Sequence, residues 1–139
     1  FRLRMDEAGL NAALEKTGAE LAGCHFRTAV RTAMGAAREA NRYLDEAEPW
    51  KAIKTDRSAA ATSLYTALNA ISGLKTMLSP FLPFSSAKVC TYLGFTESVQ
   101  EQGWRRTEVP AGQALTRPEP LFRKLDESII DEEKARLGT

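Results

Sequence analysis

Phe26-Arg27-Thr28-Ala29-Val30-Arg31-Thr32-Ala33-Met34-Gly35-Ala36-Ala37-Arg38-Glu39-Ala40-Asn41-Arg42-Tyr43-Leu44-Asp45 is the stretch that decides the fold class. Turned at 100° per residue, Phe26, Val30, Ala33, Ala37, Ala40 and Leu44 fall on one arc, which predicts an amphipathic helix from about His25 to Asp45. Arg27, Arg31, Arg38 and Arg42, at i, i+4, i+11 and i+15, gather within about 60° of arc away from that apolar stripe. They form either a basic rail suited to phosphates or a solvated helix face, and both readings stand on the residues alone. Pro49 ends the helix, because the residue before a proline is pushed out of the α region, and Trp50 follows in the loop.

Working outward, two more helices flank this one. Asp6 as N-cap and Glu7 in the first turn start a helix that runs to about Ala22, with Leu10, Ala13, Leu14 and Leu21 at helical spacing and Gly23 as its stop. Asp56 or Ser58 caps a third helix reaching about Leu78, striped by Leu64, Leu68, Ile71, Leu74 and Leu78 and weakened locally by Gly73. The spacing predicts that Phe26, Val30 and Leu44 pack antiparallel against Leu64, Leu68, Ile71 and Leu74. Ser79-Pro80-Phe81-Leu82-Pro83-Phe84 is a rigid apolar turn, and a short helix from Ser85 to Leu93 ends at Gly94. Residues Phe95 to Pro120 are expected to be irregular, with Leu121-Phe122 as an apolar plug, and Asp126 to Arg136 forms either a last helix or a linker.

Composition agrees with an all-α antiparallel helix bundle. In 139 residues there are 21 alanines against eight Val plus Ile, a balance that leaves little material for a sheet. Lys+Arg 19 against Asp+Glu 18 gives a net charge of +1, so contact with nucleic acid has to come from local clustering and not from a global field. Cys24 and Cys90 stand far apart outside any CxxC pair and read as small buried hydrophobes of a reduced protein, with no metal site expected. No apolar run approaches a membrane span and no signal-peptide core is present, so the chain is expected to be soluble and cytoplasmic. A start at Phe1, without an initiator Met, suggests a piece of something larger.

A single histidine, His25, excludes any two-histidine signature and is expected to be a first-turn helix residue; no glycine-rich phosphate loop is present either. The carboxylates lie in polar runs among Lys and Arg, where nothing separates their acidities as a catalytic pair requires. The chain is not expected to be a self-sufficient enzyme. Pro49-Trp50-Lys51-Ala52-Ile53-Lys54 offers an aromatic face flanked by cations, the arrangement that stacks an unpaired base and holds its phosphate; the same tryptophan also suits a lid on the core.

Ala40-Asn41-Arg42-Tyr43-Leu44-Asp45-Glu46 followed by Pro49-Trp50-Lys51-Ala52-Ile53-Lys54 resembles the anticodon-binding domain of the methionyl-tRNA synthetases, class I aminoacyl-tRNA synthetases. Leu78-Ser79-Pro80-Phe81-Leu82-Pro83 with Ser86, Val89 and Leu93-Gly94 resembles that family's helix-to-helix corner. Trp104, Gly112, Leu115 and Pro118-Glu119-Pro120-Leu121-Phe122 with Lys124 are similar to its closing segment, so the likeness runs from about Phe26 to Asp126. The resemblance implies that residues 1–120 are a helical anticodon-binding domain, truncated at its N-terminus, and 121–139 a closing segment and tail. It implies binding of the CAU anticodon arm of methionine tRNA, with Trp50 stacking on the splayed bases, chiefly the cytosine. Asn41 and Asp45 would shape the pocket, and Lys54 would lie near the anticodon; Arg42, the end of the basic rail nearest Trp50 in sequence, joins them as a candidate from its position and not from the resemblance. The family's Asn-Leu-x-x-Arg helix has no counterpart before Phe26, the nearest string being Asn11-Ala12-Ala13-Leu14-Glu15. The His-x-Gly-His and Lys-Met-Ser-Lys-Ser signatures of the catalytic domain are also missing. The implied parent attaches methionine to tRNA with ATP, both small molecules binding a catalytic domain that is a partner of this chain; no cofactor is expected here. Two other readings are a helical bundle of another class I synthetase and a docking bundle that binds no RNA. Along the basic rail, Arg42 is expected to matter most and Arg27 least.

Overall fold

The computed structural model describes residues 6–137, and among them there are helices and no strand. The helices are α1 (Glu7–Ala22), α2 (Phe26–Ala47), α3 (Pro49–Ala52), α4 (Arg57–Leu78), α5 (Pro83–Tyr92), α6 (Val99–Gln102) and α7 (Ser128–Leu137). The caps follow the sequence. Asp6 accepts from the Gly9 N–H at 2.8 Å and Asp56 from the Ala59 N–H at 2.9 Å, satisfying donors that the first turn leaves free. Between α1 and α2 the chain turns on Cys24 at φ +59°, which lets the His25 N–H reach the Glu20 carbonyl at 2.8 Å. Cys24 is therefore exposed at the apex of a corner and not buried as expected, whereas Cys90 is buried. His25 is the N-cap of α2, one position before the expected first turn, and its side chain makes no capping bond.

The seam between α1, α2 and α4 is built from small side chains. Ala29, Ala33, Ala36 and Ala40, spaced by four, three and four, form the buried face of α2. Ala33, Ala36 and Ala40 share a cluster with Leu10, Ala13 and Leu14 of α1 and with Ala70 and Met77 of α4. The expected arc through Phe26, Val30 and Leu44 is thus displaced by about 50° on the wheel. Phe26 is 57% exposed, and Val30 and Leu44 are half-buried at the rim. The expected partner stripe on α4 is displaced too: Leu64 is 44% exposed and Ile71 also faces solvent, while Leu68 and Leu74 are half-buried. Alanine wins the centre because a methyl lets helix backbones approach closely, leaving the longer side chains to cover the edges.

A strap of extended chain, residues 104–109, explains what the other face of α4 does. Tyr65, Asn69, Ser72 and Thr76 recur at i, i+4, i+7 and i+11 and form a polar stripe. Thr76 Oγ1 donates to the Arg105 carbonyl at 3.1 Å, and Ser72 Oγ donates to the Thr107 carbonyl at 2.5 Å. Asn69 Oδ1 accepts from the Val109 N–H at 3.2 Å, and the Tyr65 hydroxyl donates to Glu108 at 2.6 Å. Arg106, itself in the strap, donates to Asn69 at 2.9 Å and to Glu7 of α1 at 2.7 Å, and the Trp104 indole N–H donates to the Leu14 carbonyl at 3.1 Å. The indole lies over Gly18, where any side chain would collide with it.

The segment expected to be irregular contains α6, started by a capping box in which Ser98 and Glu101 bond reciprocally. The Ser98 N–H and hydroxyl on Glu101 hold its carboxyl below the ordinary value. The last stretch, expected as a helix or a linker, is the helix α7 with no buried residue. No helix among the described residues is long and apolar enough to cross a membrane.

α4 also carries a buried cation. Lys75 is 2% exposed; its ammonium donates to Gln102 Oε1 and stands 5.0 Å from the centre of the Phe95 ring. Burial lowers its pKa from 10.5, with a coulombic contribution from Cys90 acting in the opposite sense. Between the lowered folded value and 10.5, the unfolded chain holds a proton that the folded chain lacks, so this group's contribution makes folding more favourable as pH rises through that window. A Lys75→Met variant, which removes the buried charge, is expected to be more stable than the parent sequence at pH 7. That advantage should shrink as pH approaches 10.5. Denaturant unfolding of both proteins across that range measures it, and a constant difference would show that Lys75 stays fully charged in the fold.

Candidate nucleic-acid interface

The C-terminal end of α2 gathers the polar groups. Asn41 and Asp45 lie one turn apart on its exposed surface, and Asn41 Nδ2 donates to Asp45 Oδ2 at 3.2 Å. This bond occupies one carboxylate oxygen and leaves the other free to accept. Arg42, between them in sequence, gives its guanidinium to Glu39 and, at 3.5 Å, to Glu46.

Glu48 then takes the left-handed conformation at φ +38°, its N–H closing α2 onto the Leu44 carbonyl at 3.0 Å. Pro49 at the first position of α3 suits that restart, since its ring pre-sets a helical φ and it has no N–H to leave unpaired. Trp50 accordingly sits in a one-turn helix and not in the loop expected for it. Pro49 is buried and α3 packs on α4, which anchors the turn while leaving Trp50 54% exposed. Lys51 pairs with Glu48 at 2.5 Å, and Lys54 is exposed just beyond α3. Ile53, the C-cap of α3 three residues after Trp50, is also exposed and adds apolar surface at this turn. No sequence signal marked it, because its role depends on α3 being helical.

The structure thus brings Asn41, Arg42 and Asp45 together on the last turns of α2, with Trp50 on α3 and Lys54 in the turn just beyond it. Along the rest of α2, Arg27, Arg31 and Arg38 are exposed and carry no ion pair among the described residues. They point about 180° away from the buried alanine stripe.

The family model for the anticodon binding domain of methionyl tRNA ligase matches residues 4–139. The chain belongs to that family. A methionine–tRNA ligase of Dehalococcoides mccartyi strain 195 is 52% identical over 128 residues, covering 92% of this chain and 23% of that protein. Those of Chloroflexus aurantiacus and Thermomicrobium roseum are each 40% identical, covering 92% and 91% of this chain and 26% of each relative. The chain therefore spans about a quarter of the length of these curated relatives. The all-α architecture expected for an anticodon-binding domain is the one observed, with α2 and α3 displaying the polar pair and the tryptophan on a single end of the bundle.

Proposed function

We propose that this domain recognises the anticodon of methionine tRNA at the junction of α2 and α3. The observation that carries the reading is the Trp50 indole, half in solvent and yet mounted on a proline-anchored turn packed against α4. A rigid exposed ring is a stacking platform for an unpaired base and loses little side-chain freedom on binding. Cytosine, the first base of CAU, presents an N4 amino donor, and the free oxygen of Asp45 is the acceptor that suits it. Asn41 orients that carboxylate, and Lys54 supplies charge for the adjoining phosphate. Arg42 joins them by exchanging Glu46, a surface pair worth under about 1 kcal/mol, for RNA.

In this reading the chain serves a longer methionine–tRNA ligase, whose ATP and methionine chemistry resides in a catalytic domain outside this region, in the cytoplasm. The test is binding of an anticodon-arm hairpin with a CAU loop against one of the same stem whose loop cytosine is replaced by uracil. Tighter binding of the CAU hairpin is expected. Equal affinity for the two would overturn the reading.

A further inference from the structure

Resting on that reading, we propose that the outer face of α2 is a track for the sugar-phosphate backbone of the anticodon stem, with Arg27, Arg31 and Arg38 on phosphates and Gly35 as the point of closest approach. The rail occupies i, i+4, i+11 and i+15 from Arg27 to Arg42, about 22 Å of helix leading to the Trp50 end. Two positions between Arg31 and Arg38 border the rail, exposed Met34 at i+7 and Gly35 at i+8, and Gly35 is the one that brings no side chain.

Glycine is among the poorest helix formers, and packing within this chain does not require it here. A Cβ at position 35 would meet only Arg38 Nη2, at 4.0 Å, an ordinary contact with the end of a flexible side chain. Gly18 differs in having the Trp104 indole against it. A glycine with only the tip of an arginine beside it, on the arginine-bearing side of the helix, is suited to an approaching partner whose backbone must come close to the helix.

The charges favour a polyanion. Guanidinium forks match phosphate oxygens bidentately, and Arg27, Arg31 and Arg38 are exposed with no acidic partner among the described residues. Glu39 and Glu46 both pair with Arg42, and Asp45 stands at the far end of the stripe beside Asn41. The free cations therefore lie toward the N-terminal two-thirds of α2, whereas Arg42, expected to matter most, is the arginine of the rail held by acidic neighbours. Phosphate contacts position an RNA without reading its sequence, complementing the base contact assigned to Trp50.

The test uses the same two hairpins with the present chain, its Arg31→Gln/Arg38→Gln and Gly35→Gln variants, and Trp50→Ala. The arginine variant is expected to weaken both hairpins by the same factor and to reduce the slope of log K against log salt by nearly two units, about 0.9 per duplex phosphate. Gly35→Gln is expected to raise Tm while weakening both hairpins about tenfold, a combination that a purely structural glycine does not produce. Parent-like salt slope in the arginine variant overturns the track. If the CAU preference is then still lost in Trp50→Ala, the anticodon reading survives without it. If the parent chain binds both hairpins equally and the arginine variant still weakens them, the track stands and the anticodon reading falls. Binding of neither hairpin by the parent chain overturns both.

Discussion

Trp50→Ala is expected to weaken binding of the CAU hairpin by about 1 to 3 kcal/mol, or roughly five- to 150-fold, the usual worth of stacking a base on an aromatic ring. The loss should fall on discrimination, because the phosphate contacts assigned to α2 survive the change. Thermal stability should move little, within about 0.5 kcal/mol, since the indole is already 54% exposed and Pro49 provides the buried anchor of α3. In a full-length ligase carrying this domain, methionine activation should persist while tRNA charging declines. A parallel loss of both would make Trp50 structural. Trp104→Ala supplies the contrast: its indole bonds the Leu14 carbonyl and lies over Gly18, so its removal should lower stability and leave the CAU preference intact.

Met77→Ala is expected to cost about 2 to 5 kcal/mol, because Met77 is fully buried in the cluster shared by α1, α2 and α4 and the vacated volume has rigid neighbours. Leu64→Ala, on the exposed side of the same helix, should cost about 1 kcal/mol or less, and half-buried Leu68→Ala should fall between them. Denaturant midpoints at unchanged m-value separate the three. A Leu64→Ala loss as large as that of Met77→Ala would mean that the leucine stripe is the true seam.

Helix existence was legible because its signals are local. Asp6, Asp56 and Pro49 act on neighbours within one turn, so the starts of α1 and α4 and the end of α2 could be read from the chain. The Ser98-to-Glu101 capping box was equally readable and announces α6 inside the stretch expected to be irregular. The short helix expected over Ser85 to Leu93 is α5, begun two residues earlier by Pro83 at its first turn. Of the candidate interface, the residue types around Trp50 were legible. The freedom of Arg31 and Arg38 relative to Arg42 was not, because it depends on which acidic side chains reach which arginine.

The chain's own order of residues determines that this protein is helical, where its main helices begin, and which family it resembles, since each rests on short spacings. Only the tertiary structure decides which face of each helix is inside. Hydrophobic periodicity finds an apolar arc, but α4 is covered on two sides, by α1 and α2 through Ala70 and Met77 and by the 104–109 strap through Tyr65, Asn69, Ser72 and Thr76. Those polar side chains can lie against the body of the protein because carbonyl, amide and carboxylate partners arrive from about 30 to 40 residues away. A partner so distant in sequence leaves no mark on the helix's own pattern, so the leucines that look like core remain at the edge.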